Sequence, residues 1–253
     1  MPQSARPAAF VTGASYGVGA ATALALAQHG YDVAVSATRV ENLAATAAQL
    51  APTGARVLAV ALDLRAQTSI EAAVASVVSG FGRLDLLVNN AGTTLRRHAV
   101  DVTLVEWNAV MTPNVTGTFF LTQQAGRHFI AAKRGGAIVN IASVHALVGV
   151  PERSTYGISK AAMVQMTRML AIEWAEHGIR VNAVAPGRLD TASPPRAAET
   201  NNPAYMAAMA ARVPLRRLAT AEEVAGAVVY LASPAAAAIT GQTLILDGGL
   251  TVA

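Results

Sequence analysis

Short runs of β-branched and apolar residues alternate along the whole chain with longer Ala- and Leu-rich segments of helical period. This alternation is typical of βαβ units, whose strands lie side by side in a parallel sheet. The runs are too continuously apolar for a sheet with one face in water, so we expect an α/β fold with helices on both faces. The predicted strands are Ala8–Thr12, Asp32–Ser36, Arg56–Leu62, Leu84–Val88, Ala137–Ala142, Arg180–Ala185 and Thr243–Leu246. The predicted helices are Gly19–His29, Val40–Leu50, Thr68–Ser79, Val105–Ala132, Thr155–His177 and Ala221–Leu231.

Composition limits what the chain can be. Its 253 residues are 53% hydrophobic and 13% charged, which fits one large domain spanning residues 1–253. The absence of cysteine excludes disulfides, thiolate nucleophiles and Cys-ligated zinc, and we expect no metal site. The net charge is +4, but the basic residues are scattered and no aromatic residues lie among them, so we expect no nucleic-acid partner.

Neither a leader nor a membrane segment is expected. The first ten residues lack a long apolar core. The longest uncharged stretch, Val224–Leu246, is broken by Ser233-Pro234 and by Gly241, where a membrane helix would have to be continuous. We therefore expect a cytoplasmic protein.

The segment from Arg188 to Leu218 differs from the rest of the chain. It loses strand character and carries four prolines around a short amphipathic piece, Tyr205–Arg212. A segment this long between a strand and a helix is usually a binding loop or a lid, so residues 188–218 are predicted to bind substrate. The alternative is that this segment has a purely structural role and binds no substrate.

A glycine-rich turn follows the first strand directly and opens a helix. It reads Thr12-Gly13-Ala14-Ser15-Tyr16-Gly17-Val18-Gly19. Glycines here let backbone N–H groups approach a pyrophosphate, and the positive end of the helix dipole favours its charge. A tight turn without a ligand is the alternative reading of this turn alone.

Tyr156 and Lys160 lie four residues apart, on one face of a predicted helix. A free phenol titrates near about 10, but a nearby ammonium stabilises the phenolate and lowers that pKa. Tyr156 could then exchange a proton with a substrate oxygen, and Ser143 at the end of the fifth strand could orient that oxygen. Taken alone, a Tyr and a Lys at this spacing are more often ordinary helix surface.

Taken together and in order, these motifs resemble the short-chain dehydrogenases/reductases. The resemblance covers essentially the whole chain and rests on five motifs. They are the glycine spacing, Asn89-Asn90-Ala91-Gly92 after the fourth strand, the Tyr156 and Lys160 pair, Pro186-Gly187 and Asp247-Gly248-Gly249. It implies a single-domain, doubly wound Rossmann fold with seven parallel strands in the order 3-2-1-4-5-6-7. It also implies hydride transfer between NAD(P)(H) and a ketone or secondary alcohol, and a homotetramer or homodimer.

The resemblance assigns roles residue by residue. Ser143, Tyr156 and Lys160 take the catalytic places, and Asn114 takes a fourth, relaying protons through water to the lysine. The cofactor would be held by the glycine turn (Gly13, Ser15, Tyr16, Gly17, Val18, Gly19), by Asp63, Leu64, Asn90, Ala91 and Gly92, by Tyr156 and Lys160, and by Pro186, Gly187, Leu189 and Thr191. One departure is Pro113 beside Asn114, which predicts a helix already distorted there.

The second strand bears on which nicotinamide is used. NAD-selective folds place a carboxylate just beyond this strand, but here the position is Ala37, followed by Thr38 and Arg39. We therefore expect NADP(H) to be preferred, with Thr38 and Arg39 near the 2′-phosphate, and NAD(H) to remain usable. Arg39 as a solvated helix-start residue is the alternative.

The substrate is predicted only by class. Arg96, His145 and Arg153 are candidate substrate contacts, each of which could equally be solvated or lining. Within the family the chain looks most similar to 3-oxoacyl carrier-protein reductases and to gluconate- and 2-deoxygluconate-type dehydrogenases. The alternative functions are a nicotinamide-binding regulatory protein and a lyase or epimerase on the same fold.

Overall fold

Seven parallel strands form one sheet in the computed structural model, which describes residues 6–190 and 202–253. Their spatial order is β3-β2-β1-β4-β5-β6-β7, with every neighbouring pair parallel, as the resemblance implied. The strands are β1 Ala8–Val11, β2 Asp32–Ala37, β3 Val57–Ala61, β4 Leu86–Asn89, β5 Gly136–Ile141, β6 Ile179–Pro186 and β7 Thr243–Leu246.

Helices connect the strands and cover the sheet. They are α1 Gly17–Gln28, α2 Ala44–Leu50, α3 Gln67–Phe81, α4 Leu104–Met111, α5 Thr118–Ala132, α6 Ser154–Glu173, α7 Pro203–Ala211 and α8 Ala221–Ala232. Two predicted helices are partly wrong in type. Residues Val40–Leu43 form a 3₁₀ turn before α2, and Ala175–His177 form another after α6. Tighter turns at helix ends are common, and neither changes the connectivity.

The central strands of the sheet are buried on both faces, which explains their continuous apolar sequences. Neighbouring residues of one strand point to opposite faces, so Phe10 packs with the helices α3, α5 and α6 while Val11 packs with α1 and α8. Ile138 and Val139 divide in the same way. Each of these four side chains is at most 1% exposed.

The predicted helix Val105–Ala132 is not continuous. A π-helical turn, Thr112–Gly117, separates α4 from α5, and Pro113 lies near its start. Proline has no backbone N–H and its ring clashes with the preceding turn of a regular helix, so a wider turn accommodates it. The predicted distortion at Pro113 is therefore confirmed. Gly117 in this turn packs so closely that a Cβ there would overlap the carbonyl oxygen of Leu64.

The segment after β6 has more structure than its sequence predicted. Leu189–Asp190 and Ala219–Thr220 form a two-residue parallel pairing, and the amphipathic piece is the helix α7. Asn202 caps that helix, since its side chain accepts a hydrogen bond from Tyr205 N at 3.1 Å. Thr191, predicted to help hold the cofactor, lies outside the described residues. Among those that are described, no helix is both long and apolar enough to cross a membrane.

Candidate active site

The glycine turn between β1 and α1 is held directly against the Asn-Asn-Ala-Gly motif. Gly13 has a φ of +62°, and a Cβ on it would lie 2.7 Å from the Cα of Ala91. A Cβ on Gly19 would collide with the carbonyl oxygen of Gly13 and lie 2.6 Å from Asn90 Nδ2. Asn90 Nδ2 donates to the carbonyls of Thr12 and Gly13, both at 2.9 Å. The two motifs therefore form one cradle in which glycine is sterically required.

This cradle fits a dinucleotide pyrophosphate. Tyr16 is the N-cap residue of α1, yet its side chain makes no capping hydrogen bond, and the first turn contains no acidic residue. The N–H groups of a helix N-terminus need acceptors and attract anions, and here no side chain of the turn competes for them. Gly17, with a φ of +58°, has open space where a Cβ would be. Ser15 and Val18 lie in the same turn, as predicted.

The edge beyond β2 bears on the predicted preference for NADP(H). Ala37 ends the strand, and Thr38 and Arg39 follow it as exposed residues. Asp32 is at the opposite end of β2, where its carboxylate accepts from Arg56 Nε at 2.6 Å. No carboxylate of β2 therefore faces this edge.

Asp63 and Leu64, predicted to help hold the cofactor, follow β3. The carboxylate of Asp63 accepts from Arg65 Nε at 2.9 Å and from Arg65 Nη2 at 2.8 Å. This guanidinium lowers the pKa of Asp63. Leu64 is buried against the π-helical turn. The carboxylate of Asp63 is therefore already paired with the guanidinium of Arg65.

The three predicted catalytic residues converge where β5 ends and α6 begins. Ser143 lies two residues beyond β5 and is 9% exposed, and Tyr156 is in the first turn of α6. Lys160 lies one turn later, with Nζ 5.8 Å from the centroid of the Tyr156 ring. Lys160 Nζ also donates to the carbonyl of Ile141, the last residue of β5, at 2.7 Å. This bond fixes the helix face that carries Tyr156 against the strand that carries Ser143.

Burial changes the titration of Lys160. The side chain is 4% exposed, and desolvation of its charged form lowers its pKa from 10.5 to about 8. The ammonium form still predominates at neutral pH. Lys160 therefore provides a positive charge beside the phenol ring, as the spacing predicted.

We expect this titration to appear in the pH dependence of stability. Lys160 loses its proton near pH 8 in the folded protein but only near pH 10.5 in the unfolded chain. Between these values the unfolded chain binds more protons, so the free energy of unfolding should rise from about pH 8 to about pH 10. Replacing Lys160 with Met should weaken this rise by about 1–3 kcal/mol. Urea unfolding at a series of pH values measures it, with the exposed Lys133→Met as control. An identical rise in the wild type and K160M would contradict the shift.

Asn114 lies in the π-helical turn, fully buried. Its Oδ1 accepts from Thr93 N and its Nδ2 donates to Thr93 O, both at 2.8 Å. Nδ2 also donates to Ser159 Oγ at 3.0 Å, and Ser159 Oγ donates to the carbonyl of Tyr156 at 2.7 Å. Gly92 packs closely beside it, since a Cβ there would lie 3.0 Å from Asn114 Oδ1. Asn114 thus joins the loop after β4 to the helix that carries Tyr156. The role of Asn114 in relaying protons through water to Lys160 stays a prediction.

The candidate substrate residues differ in their surroundings. Arg96 Nε donates to Glu152 Oε2 at 2.6 Å, so its charge already has a carboxylate partner. Arg153 donates to Thr94 Oγ1 at 3.0 Å. His145 packs edge-on against the Tyr156 ring, with centroids 5.7 Å apart. Of these three side chains, His145 has the contact with a catalytic residue.

The end of β6 is joined to the end of β7. Gly187 N donates to the carbonyl of Leu246 at 2.9 Å, and a Cβ on Gly187 would lie 3.0 Å from the Cβ of Asp247. The carboxylate of Asp247 accepts from the N–H groups of Gly249 and Thr251 at 2.9 and 2.8 Å. The turn Pro186-Gly187 is therefore fixed at the carboxyl edge of the sheet, next to Leu189 in the two-residue pairing.

A buried polar ladder beneath the site was not predicted. Asn89 Nδ2 donates to Thr122 Oγ1 and to Asn140 Oδ1, and Asn140 Nδ2 donates to Thr167 Oγ1, all at 2.8 Å. It connects β4 and β5 to α5 and α6. The sequence does contain an indication of this ladder, because Asn140 is a polar residue within the apolar run Ile138–Ile141. A buried amide requires hydrogen-bond partners, so Asn140 predicts a buried polar contact.

Comparison with known proteins agrees with this geometry. A family model described as "Enoyl-(Acyl carrier protein) reductase" matches residues 13–251. The chain is 39% identical to 2-dehydro-3-deoxy-D-gluconate 5-dehydrogenase of Escherichia coli (strain K12), over 95% of this chain and 94% of that protein. It is 37% identical to 3-oxoacyl-[acyl-carrier-protein] reductase FabG of Thermotoga maritima, over 96% and 97%.

Solved structures share the fold as well. A short-chain type dehydrogenase/reductase from Mycobacterium marinum superposes with a TM-score of 0.89 at 33% identity, over 98% of this chain and 96% of that one. The sequence match, the strand order and the converging Ser143, Tyr156 and Lys160 lead to the same conclusion. The chain belongs to the short-chain dehydrogenase/reductase family of NAD(P)-dependent oxidoreductases.

Proposed function

We propose that this enzyme interconverts a ketone and a secondary alcohol, with Tyr156 as the acid/base group and with NADP(H) preferred over NAD(H). The observation that carries the proposal is the phenol ring of Tyr156 beside the buried ammonium of Lys160, at the strand end that carries Ser143. The glycine cradle supplies the matching cofactor site.

The chain's own residues have separate tasks in this reaction. When bound, the nicotinamide donates or accepts the hydride. The hydroxyl of Tyr156 donates a proton to the carbonyl oxygen during reduction and accepts one from the alcohol during oxidation. The hydroxyl of Ser143 holds the same oxygen by a hydrogen bond. The charge of Lys160 favours the phenolate, and Asn114 positions the first turns of α6 through Ser159.

A panel of ketones tests the proposal. Loss of reduced-nicotinamide absorbance is followed with keto-sugar acids, keto-sugars and 3-oxoacyl thioesters. Ketone-dependent turnover supports an oxidoreductase. Cofactor binding without turnover of any ketone would instead favour the regulatory protein or the lyase or epimerase.

The preference for NADP(H) rests on the edge after β2. Ala37 ends the strand without a carboxylate, and Thr38 and Arg39 are exposed beside it. Replacing Ala37 with Asp should repel the 2′-phosphate and bind the ribose hydroxyls of NAD(H). We expect kcat/KM for NADPH to fall by about 10- to 100-fold relative to NADH, which is about 1.4–2.8 kcal/mol.

Steady-state kinetics with both cofactors measures this ratio, and Ala75→Asp, exposed in the middle of α3, is a control that adds the same charge away from this edge. A wild-type enzyme that uses NADH better than NADPH would refute the preference.

We propose keto-sugars, keto-sugar acids and 3-oxoacyl thioesters as the substrate classes to be tested first. The relatives named above act on a deoxygluconate and on a 3-oxoacyl carrier protein by their names. The segment 188–218 is proposed to cover the substrate, because it follows the turn Pro186-Gly187 at the same edge of the sheet. Arg188, at its start, stacks on the ring of Tyr205 of α7 at 4.6 Å.

The proposed assembly is a homotetramer or a homodimer. Two exposed apolar faces support it. The first is a groove of about 690 Å³ between α6 and β7, which includes Ile172 and Ile245. The second is a groove of about 480 Å³ between α4 and α6, which includes Leu104 and Ile158. Light scattering coupled to gel filtration measures the oligomeric state, and a monomer at micromolar concentration would refute it.

A further inference from the structure

His145 is fixed against the catalytic tyrosine. It lies two residues after Ser143 in a 3₁₀ turn, Val144–Ala146. Its ring meets the ring of Tyr156 edge-on, at an interplanar angle of 86°. Its carbonyl oxygen also lies against α6, since a Cβ on Gly157 would be 2.9 Å from it. The backbone of His145 is therefore held against the first turn of α6, and its ring lies against the ring of Tyr156.

The protonation of this imidazole follows from its surroundings. Burial and the nearby charge of Arg153 lower the pKa of His145, so the ring is neutral at physiological pH. Its Nδ1 is buried and has no hydrogen-bond partner among the described residues. A buried N–H without an acceptor is costly, so the proton belongs on Nε2. His145 is then a neutral residue with an N–H donor at the end of its ring.

A donor here is suited to a second substrate oxygen. The centroids of the His145 and Tyr156 rings are 5.7 Å apart. The two rings are in edge contact, so a small substrate hydrogen-bonded to the hydroxyl of Tyr156 at about 2.8 Å lies beside the imidazole. A substrate whose reacting oxygen meets Tyr156 can therefore offer an oxygen on the adjacent carbon to His145.

We propose that Nε2–H of His145 binds an oxygen on the carbon next to the reacting carbonyl, and so selects hydroxyketones and keto-sugars over ketones without that oxygen. This inference rests on the proposed function of Tyr156 and adds the substrate class. His145 would be a specificity-determining residue, and its ring would also hold the phenol ring of Tyr156 in place.

Three substitutions separate these two roles. H145F keeps an aromatic ring beside Tyr156 and removes the nitrogen, H145A removes both, and H145Q restores an N–H donor without the ring. Each is assayed on hydroxyketones paired with analogues that lack only the hydroxyl next to the carbonyl. The measured quantity is the selectivity, the ratio of kcat/KM for the two members of a pair. H177F, in the exposed turn after α6, is the matched control.

We expect the selectivity of H145F to fall by at least tenfold, mostly through KM for the hydroxylated substrate, because the donor contributes to binding before the chemical step. H145Q should recover part of the selectivity. H145A should additionally lower kcat for both substrates of a pair. H177F should retain wild-type selectivity, and cofactor fluorescence and thermal melting show that each variant folds.

Unchanged selectivity in H145F, or an equal loss for both substrates of a pair, would overturn the inference. Wild-type turnover that depends on Tyr156 but shows no selectivity for the hydroxyl would overturn it too, and would leave the proposed function intact. Failure of the wild type to turn over any ketone would instead refute the proposed function, and the inference with it.

Discussion

Replacing Tyr156 with Phe should lower kcat for ketone reduction by about 10²- to 10⁴-fold, the usual contribution of a positioned general acid. The ring, its packing against His145 and its place beside Lys160 are retained, and the hydroxyl that exchanges the proton is removed. Because the loss is in the chemical step, kcat and kcat/KM should fall together. Steady-state kinetics, with nicotinamide fluorescence for cofactor binding, measures both effects.

The control for this substitution is Tyr230→Phe. Tyr230 lies on α8 and is 45% exposed, so this substitution removes a tyrosine hydroxyl outside the site. We expect wild-type kinetics for Y230F and normal cofactor binding for both variants. Turnover that persists undiminished in Y156F would refute the mechanism.

The second large effect is expected from Gly19→Ala. The added Cβ would collide with the carbonyl oxygen of Gly13 and with Asn90 Nδ2, and would lie 2.9 Å from the Cα of Ala14. Two of these atoms are backbone and Asn90 is held by two hydrogen bonds, so the turn itself must shift. We expect cofactor affinity to fall by at least about 100-fold, since backbone N–H groups aimed at the pyrophosphate lose their positions.

Fluorescence titration with reduced nicotinamide measures the affinity, and thermal melting reports the accompanying strain. Gly226→Ala is the matched control, because Gly226 lies inside α8 with nothing near the position of a Cβ. That variant should bind cofactor normally and be as stable as the wild type or more so, by about 0.5–1 kcal/mol. Wild-type affinity in G19A would contradict the steric role of this glycine.

The strands and the glycine turn could be predicted because their signals are local. A run such as Ala8–Val11 is apolar on both faces wherever the chain places it. Glycines directly after such a run indicate a turn, because glycine adopts positive φ without steric cost. The Tyr156 and Lys160 pair is local as well, because a helix alone brings residues four apart onto one face. The helix predicted over residues 105–132 was expected to be distorted at Pro113, but the type of distortion was not predicted. Periodicity indicates a helix there, but it does not distinguish α from π geometry at Pro113.

By itself, the sequence therefore determined the order of strands and helices along the chain, the glycine turn and the catalytic helix face, since each follows from the backbone preferences of neighbouring residues. The tertiary structure decided which distant polar groups meet. It paired Arg96 with Glu152, 56 residues apart, placed Asn89 against Asn140, and buried Lys160 enough to lower its pKa to about 8. Those partnerships depend on how α6 and the loop after β4 pack on the sheet, because electrostatic and hydrogen-bond energies are set by distance and burial rather than by separation along the chain.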